Sequence, residues 1–261
     1  MGDVLGLHLL QSLDLVGSPR RSALARLDAS GRVVSLELAG DDAEIAGLVS
    51  ASPGLPLAVD APLEVPNRTG RRDVEAVLAW CDAPAFPVSQ RRLGQVFGGA
   101  RGVALMPALS AVADPVVEAY PDLVLRQIAW EREHPAGEEP IDLADYRAAW
   151  LAIRAPTYRP KGVGRARPEG TRAAWTLLGR VLDMGGWEPA SDPDDWGAIH
   201  DAARVDALCC AYAALRLQEP GAHVVIGAPG LGRVAVPADA NLRGRVELTL
   251  TRMRADASIA I

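Results

Sequence analysis

Apolar and polar residues alternate along the first part of the chain in a pattern that predicts strands before helices. Residues 4–9 form a short apolar run, and two further runs, 22–27 and 32–38, flank a turn-rich segment as in a hairpin. Helical spacing follows after Asp41, and residues 55–60 form another apolar run. This order predicts an antiparallel meander joined through a helix to a parallel strand.

The pattern changes between residues 64 and 113, where proline and glycine interrupt one helix predicted at 73–80. This favours an insertion or a cover over a site, not a second compact domain. A strand is predicted at 116–119, with Pro121 opening the next helix. Further helices are predicted at 143–153, 171–182 and 196–217, and strand-like runs at 224–226, 233–236 and 246–251.

These elements predict an α/β protein whose mixed sheet is flanked by helices. Residues 1–220 are expected to form one domain with a helical insertion at about 64–113. Residues 221–261 are expected to form a strand-rich C-terminal extension packed on that domain. A chain of 261 residues with 49% hydrophobic content is long enough for one large core.

Composition narrows the environment in which the chain is expected to work. The sequence contains no apolar run of about 18 residues, so a membrane span is not expected, and no secretion signal is recognised at the N-terminus. The three cysteines lack the spacing of a zinc site. Reduced thiols fit the cytoplasm, which is the expected location.

Charge limits the partners. A net charge of −6 excludes a uniformly basic nucleic-acid-binding surface, although a local basic patch remains compatible with it. Residues 154–167 hold five positive charges among prolines and glycines: Arg154, Arg159, Lys161, Arg165 and Arg167. This stretch is either a phosphate-binding loop or a solvated arginine-rich loop.

Three acidic residues are the main candidates for chemistry. Asp60 would end a strand at the edge where open α/β sheets bind ligands, or would form a turn. Glu118 interrupts an apolar strand, where an unpaired charge is costly, unless that strand has one face in solvent. Asp206 has small uncharged neighbours at helical spacing, so it is expected to lie against the sheet. Asp201 falls off that helix face and is a weaker candidate.

Two other residues have competing interpretations. His8 lies in the first predicted strand, where a lone histidine is a ligand or, more commonly, a structural residue. Asp73 either contributes to a site, or caps the helix that follows it, or pairs locally with an arginine.

The order of four motifs resembles a known family. Asp60-Ala61-Pro62-Leu63, Gly70-Arg71-Arg72-Asp73, Glu118-Ala119-Tyr120-Pro121 and Asp206-Ala207-Leu208 together resemble the predicted nucleases of domain-of-unknown-function family 429. The resemblance covers about residues 4–217 and implies a ribonuclease H-like fold. It departs at His8, where the family pattern has aspartate; Asp14 would substitute for that aspartate only if the first strand ran longer than predicted.

The resemblance implies a nuclease or phosphodiesterase dependent on Mg²⁺ or Mn²⁺. Asp60, Glu118 and Asp206 would be catalytic carboxylates that hold the metal, together with His8; histidine can bind manganese or zinc, whereas magnesium prefers oxygen ligands. Arg72 and the arginine-rich stretch would bind phosphate, namely through Arg159, Lys161 and Arg165. The expected partner is nucleic acid, and the sequence is also compatible with assembly into a homo-oligomer.

Two alternatives remain open from the sequence. Because His8 replaces the aspartate, the chain would be a catalytically silent protein that binds nucleic acid or a nucleotide. The tail from Gly221 onward has no recognised counterpart in that family, and it would instead indicate an assembly protein.

Overall fold

A computed structural model describes residues 1–10, 21–83, 85–135, 143–159, 167–190 and 195–259. Its strands are β1 (Val4–His8), β2 (Ser22–Leu27), β3 (Val33–Ala39), β4 (Leu57–Val59), β5 (Val116–Glu118), β6 (His223–Ala228) and β7 (Gly232–Pro237). Its helices are α1 (Asp42–Ser50), α2 (Asp73–Trp80), α3 (Gln90–Phe97), α4 (Arg101–Ser110), α5 (Pro121–Glu133), α6 (Leu143–Ala152), α7 (Pro168–Leu178), α8 (Asp195–Leu217) and α9 (Ala240–Ile259).

All of these strands join one mixed sheet in the order β3-β2-β1-β4-β5-β7-β6. Strands β1, β2 and β3 form an antiparallel meander. On the other side of β1, strands β4, β5 and β7 run parallel to it, and β6 pairs antiparallel with β7. The predicted α/β class, the mixed sheet and the flanking helices are therefore confirmed.

Successive side chains of β1 belong to two different hydrophobic clusters, one on each face of the sheet. Leu5 and Leu7 pack with Ile45 of α1 in one buried cluster that also receives α4. Val4 belongs to the opposite cluster, which contains α5, α7 and α8. Side chains of a strand point alternately to its two faces, so β1 contributes to both cores.

Helix α8 lies against β1 more closely than an ordinary side chain would allow. A Cβ placed on Gly6 would lie 2.0 Å from the backbone nitrogen of Ala211 and 2.2 Å from the carbonyl oxygen of Ala207. Glycine in the strand and alanines in the helix together permit this approach. The contact confirms the prediction that Asp206, on this helix, lies against the sheet, since its side chain is almost fully buried.

The segment between β4 and β5 is helical, as the sequence predicts. Helix α2 has the predicted bounds, whereas α3 and α4 lie where glycine and proline obscured the periodicity. A glycine also permits a close contact here, because a Cβ on Gly102 of α4 would lie 2.4 Å from the carbonyl oxygen of Pro62. Helix α4 therefore packs directly on the loop that follows Asp60.

The strand predicted at residues 246–251 is wrong, because these residues lie within α9. Their alternating pattern is typical of a strand, but Leu242, Val246 and Thr249 are buried at helical spacing. The start signal is Asp239, whose Oδ1 accepts from the backbone nitrogen of Leu242 at 2.9 Å. The C-terminal extension is thus a hairpin that joins the sheet, followed by a helix packed near α2 and α6.

Candidate metal centre at the carboxyl ends of two strands

His8 and Asp60 lie side by side because β1 and β4 are parallel neighbours. Gly6 is paired in register with Ala58, and each candidate residue lies two positions further along its strand direction. Both side chains therefore point to the face covered by α8. His8 Nδ1 lies 3.0 Å from Asp60 Oδ2.

Helix α8 adds the third member of this group, Asp206. Its Oδ2 lies 3.3 Å from His8 Nδ1, and its side chain is only 3% exposed. The ligand atoms that His8, Asp60 and Asp206 offer all lie within 4.8 Å of one another. We call these three residues the His–Asp–Asp cluster.

Arg159 bridges the two carboxylates of the cluster. Its Nη2 donates to Asp60 Oδ2 at 2.8 Å and to Asp206 Oδ1 at 2.6 Å. Its Nε lies 3.0 Å from each oxygen of Asp206. The Tyr158 hydroxyl also donates to Asp206 Oδ1. A guanidinium thus already neutralises part of the acidic charge of the cluster.

The electrostatics of Asp206 reflect its depth in the protein. Burial raises the pKa of the Asp206 carboxyl above its ordinary value, while the positive charge of Arg159 and the neighbouring His8 oppose this rise. A carboxylate at this depth requires a cation, because its desolvation is costly when it is unpaired. Arg159 meets that requirement in the protein as it stands.

A glycine in α7 helps to position Tyr158 and Arg159. A Cβ on Gly170 would lie 2.1 Å from the carbonyl oxygen of Thr157 and 3.0 Å from the Cα of Tyr158. The absence of a side chain at Gly170 allows the segment before Arg159 to rest directly on the helix. This backbone contact fixes the approach of the guanidinium to the carboxylates.

The structure does not bring Glu118 into the His–Asp–Asp cluster. Glu118 does end a parallel strand, as predicted, but it is paired in register with Val59, the residue before Asp60. Successive side chains alternate between faces, so Glu118 and Asp60 point to opposite sides of the sheet. The expected three-carboxylate arrangement is thereby corrected to two carboxylates and an imidazole.

Glu118 is instead held by Arg72 in a buried ion pair. Nη1 and Nη2 of Arg72 each donate to one Glu118 oxygen at 2.7 Å, and the backbone nitrogen of Leu63 donates to Oε1 at 2.9 Å. Burial raises the pKa of the Glu118 carboxyl, and the Arg72 guanidinium opposes the rise.

Arg72 has no donor left for a phosphate. Besides Glu118, its guanidinium donates from Nε and Nη2 to Glu75 Oε1, and from Nη1 to the carbonyl oxygen of Glu64. Its side chain is 1% exposed. The prediction of Arg72 as a phosphate-binding residue is therefore not supported, and the residue instead joins α2 to β5.

The other predicted site residues lie elsewhere. Asp73 is the exposed first residue of α2. Asp201 is buried away from the cluster, where its oxygens accept from Ala190 N at 3.0 Å and Arg204 Nη1 at 2.9 Å. Lys161, Arg165 and Asp14 lie outside the described residues.

Tyr158 belongs to the site although the charge pattern of the sequence does not indicate it. It directly precedes Arg159 in the arginine-rich stretch. A buried tyrosine hydroxyl needs a hydrogen-bond partner, so a tyrosine beside a candidate phosphate ligand was the available signal.

The donor set of the cluster fits a divalent cation. Two carboxylates and one imidazole combine oxygen and nitrogen ligands, which suits Mn²⁺ better than Mg²⁺ because magnesium prefers oxygen alone. The hydrogen bonds from Arg159 occupy the same carboxylate oxygens. Metal and guanidinium would therefore share or exchange these oxygens.

The fold and the site together define an α/β protein with an acidic cluster at the carboxyl ends of parallel strands. Comparisons with protein-family models, with curated proteins and with solved structures find no match to the chain. In the parts of the chain that the structure describes, none of the helices has the length and apolar character required to cross a membrane.

Proposed function

We propose that this protein is a divalent-metal-dependent phosphodiesterase that acts on nucleic acid, with a ribonuclease H-like fold. The observation that carries the proposal is the convergence of His8, Asp60 and Asp206 within 4.8 Å. The antiparallel meander continued by parallel strands supports the fold assignment. The position of the cluster at the carboxyl ends of β1 and β4 supports a ligand-binding role.

His8, Asp60 and Asp206 would hold Mn²⁺ or Mg²⁺. Such an ion supplies an activated water and neutralises the charge that develops on a phosphodiester. Asp60 is the more accessible carboxylate, at 14% exposure, and would face the substrate. The Asp206 side chain, which is 3% exposed, would bind the ion from the buried side of the cluster.

Arg159 would act on the substrate itself. Its side chain is 36% exposed, and its Nη1 forms no hydrogen bond within the described part of the chain. A guanidinium in this position can donate to a phosphate oxygen while still contacting Asp60. Tyr158 would hold Asp206 in place through its hydroxyl.

A second candidate function is metal-free binding of nucleic acid or a nucleotide. The observation that favours it is that Arg159 already bonds both carboxylates, so the chain supplies its own cation. Substituting His8→Asp separates the two functions, because a third carboxylate improves the site for Mg²⁺. Cleavage gained only in that variant favours the metal-free function, and cleavage by the unaltered protein rejects it.

The decisive experiment is calorimetric titration of Mn²⁺ and Mg²⁺ into the protein and into Asp60→Asn, followed by a cleavage assay on single-stranded and duplex DNA and RNA. We expect Mn²⁺ binding and metal-dependent cleavage that are both lost in Asp60→Asn and in Asp206→Asn. The matched control is Asp73→Asn, which removes an exposed carboxylate outside the cluster. Unchanged cleavage in both cluster variants, or equal losses in the control, would reject the proposed function.

A further inference from the structure

A large cavity opens beside the His–Asp–Asp cluster. Its volume is about 760 Å³, within the range of about 300–1,000 Å³ for small-ligand sites. His8, Asp60 and Arg159 form part of its wall. A molecule in this cavity therefore lies next to the candidate metal ligands, so the cavity is the natural place for part of the substrate.

One part of the cavity wall is apolar and aromatic. Phe86 and Phe97 line it with their ring centroids 6.4 Å apart and their planes inclined at 60°. Phe86 is 43% exposed, so part of its ring remains accessible to a ligand. Further apolar residues of the same wall are Val88, Leu93, Leu123 and Ile153. These surfaces fit a flat, weakly polar group such as a nucleobase.

Two arginines of the wall are available to an anion. Arg126 Nη1 donates to the carbonyl oxygen of Asp82 at 3.1 Å, and Arg154 Nη1 donates to that of Leu151 at 2.9 Å. Among the described residues, neither guanidinium forms an ion pair with a carboxylate. Burial lowers the pKa of Arg126 and the positive charge of Arg154 lowers it further, while the Asp82 carboxylate opposes this change. Both arginines line the same cavity.

The acidic residues of the wall do not cancel these charges. Asp60 is already paired with Arg159, which leaves Asp122 at the start of α5 as the remaining carboxylate of the wall. Over the residues of the wall, three arginines stand against two aspartates, which is a formal excess of one positive charge in a chain whose net charge is −6. Asp206, which shares Arg159 with Asp60, does not line the cavity. An anion with a flat apolar group satisfies both parts of the wall.

We propose that this cavity binds one unpaired nucleotide of a single-stranded nucleic acid. The base lies against Phe86 and Phe97, and a phosphate lies between Arg126 and Arg154, so that the neighbouring phosphodiester reaches Asp60 and Arg159. A base can meet an aromatic wall inside a cavity only when it has left its duplex partner, so single strands are selected over duplexes. This inference rests on the proposed function, since it names the substrate class of the same site.

The test measures binding in the presence of a chelator, where no metal-dependent cleavage occurs. A fluorescently labelled short oligothymidylate is titrated with the protein and compared with a blunt hairpin duplex, thymidine and inorganic phosphate. We expect the oligothymidylate to bind more tightly than the duplex, and both thymidine and phosphate to bind weakly because each satisfies only one part of the wall. Equal affinity for the duplex, or no binding of the oligothymidylate, overturns the proposal.

Two substitutions probe the two parts of the wall. Phe86→Ala is expected to weaken oligothymidylate binding by about 5- to 150-fold, as for other base–aromatic contacts. Arg154→Ala is expected to weaken binding and reduce its dependence on salt concentration. The controls are Leu231→Ala and Arg180→Ala, which remove exposed side chains that do not line the cavity. Equal losses in the controls overturn the proposal.

The outcome separates this inference from the proposed function. If metal-dependent cleavage requires Asp60 but its KM is unchanged in Phe86→Ala and Arg154→Ala, the cavity assignment fails and the proposed function stands. If both variants weaken binding in chelator but Asp60→Asn shows no change in metal binding or cleavage, the proposed function fails and the cavity assignment stands.

Discussion

The Nε atom of Arg159 lies 3.0 Å from both carboxylate oxygens of Asp206. This contact places a fixed positive charge beside the most deeply buried carboxylate of the cluster. Because Nη2 of the same guanidinium reaches Asp60, one side chain compensates both acids. We therefore expect Arg159 to stabilise the metal-free fold and to compete with a metal ion for the same carboxylate oxygens.

We predict that Arg159→Gln destabilises the metal-free protein and strengthens Mn²⁺ binding. Removing the guanidinium leaves Asp206 without its charged donor, which costs about 1–3 kcal/mol of the free energy of unfolding. The vacated carboxylate oxygens then become available to the ion, and a ligand bound only by the folded state stabilises it. Thermal unfolding with and without Mn²⁺ measures both effects.

The control for this experiment is Arg180→Gln, which alters an exposed arginine outside the site. The variant at position 159 should gain more in Tm from Mn²⁺ than either the unaltered protein or the control. An equal or smaller gain would show that Arg159 does not compete with a metal.

Glu118→Gln is predicted to destabilise the fold without changing metal affinity. The substitution leaves the Arg72 guanidinium buried without its carboxylate, and losing one partner of a buried ion pair costs about 3–5 kcal/mol. The amide oxygen can still accept from the backbone nitrogen of Leu63, so the local path of the chain is retained. Urea unfolding and Mn²⁺ calorimetry on the same preparation measure the two quantities.

A suitable comparison is Asp3→Asn, which removes the partly exposed pair with Arg26 and should cost at most about 1 kcal/mol. If Glu118→Gln stayed stable and lost Mn²⁺ binding, Glu118 would be a metal ligand despite its pairing with Arg72.

Gly6→Ala is predicted to destabilise the protein strongly. The new methyl group would lie within 2.2 Å of two backbone atoms of α8, which cannot yield as a side chain can. Overpacking of this kind costs about 1–3 kcal/mol or more, and the displaced helix would carry Asp206 away from His8. Urea unfolding gives the stability, and Mn²⁺ calorimetry gives the effect on the site.

The matched control is Gly47→Ala in α1, an exposed helical position where a Cβ meets no atom within 4 Å. There alanine should stabilise by about 0.5–1 kcal/mol because glycine is the poorer helix former. A neutral Gly6→Ala would contradict the close packing of β1 on α8.

Stability is predicted to fall above about pH 8.5 through the buried thiols. Burial raises the pKa of the Cys210 thiol well above its ordinary value. In the folded protein the thiol stays protonated, whereas in the unfolded chain it ionises near pH 8.5, so the unfolded state binds fewer protons. This stabilising contribution is complete below pH 8.5 and declines as pH rises toward the folded pKa, by up to about 1.4 kcal/mol per pH unit.

Urea unfolding at pH 8 and pH 9.5, compared between the unaltered protein and Cys210→Ala, checks this prediction. The variant should lose less stability over that interval, because one of its buried thiols is gone. Equal losses would show that Cys210 ionises as readily in the folded protein as in the unfolded chain.

Local patterns predicted much of the fold because the periodicity of a strand or an amphipathic helix is visible within a short stretch of sequence. The meander, the bounds of α2 and the hairpin strands β6 and β7 all follow from periodicity and turn residues. The prediction was wrong at residues 246–251, where the apolar residues match both the two-residue period of a strand and the 3.6-residue period of a helix. These residues form part of α9, which packs against α2 and α6.

For the site, the sequence by itself determined that Asp60 ends a strand and that Asp206 lies on a helix face of small residues. It could not decide which candidates meet, because that depends on strand register and on the alternation of side chains between faces. The register of β4 with β5 turned Glu118 away from Asp60 toward Arg72. The approach of α8 to Gly6 and the path of the chain to Arg159 are long-range contacts, and only the tertiary structure fixes them.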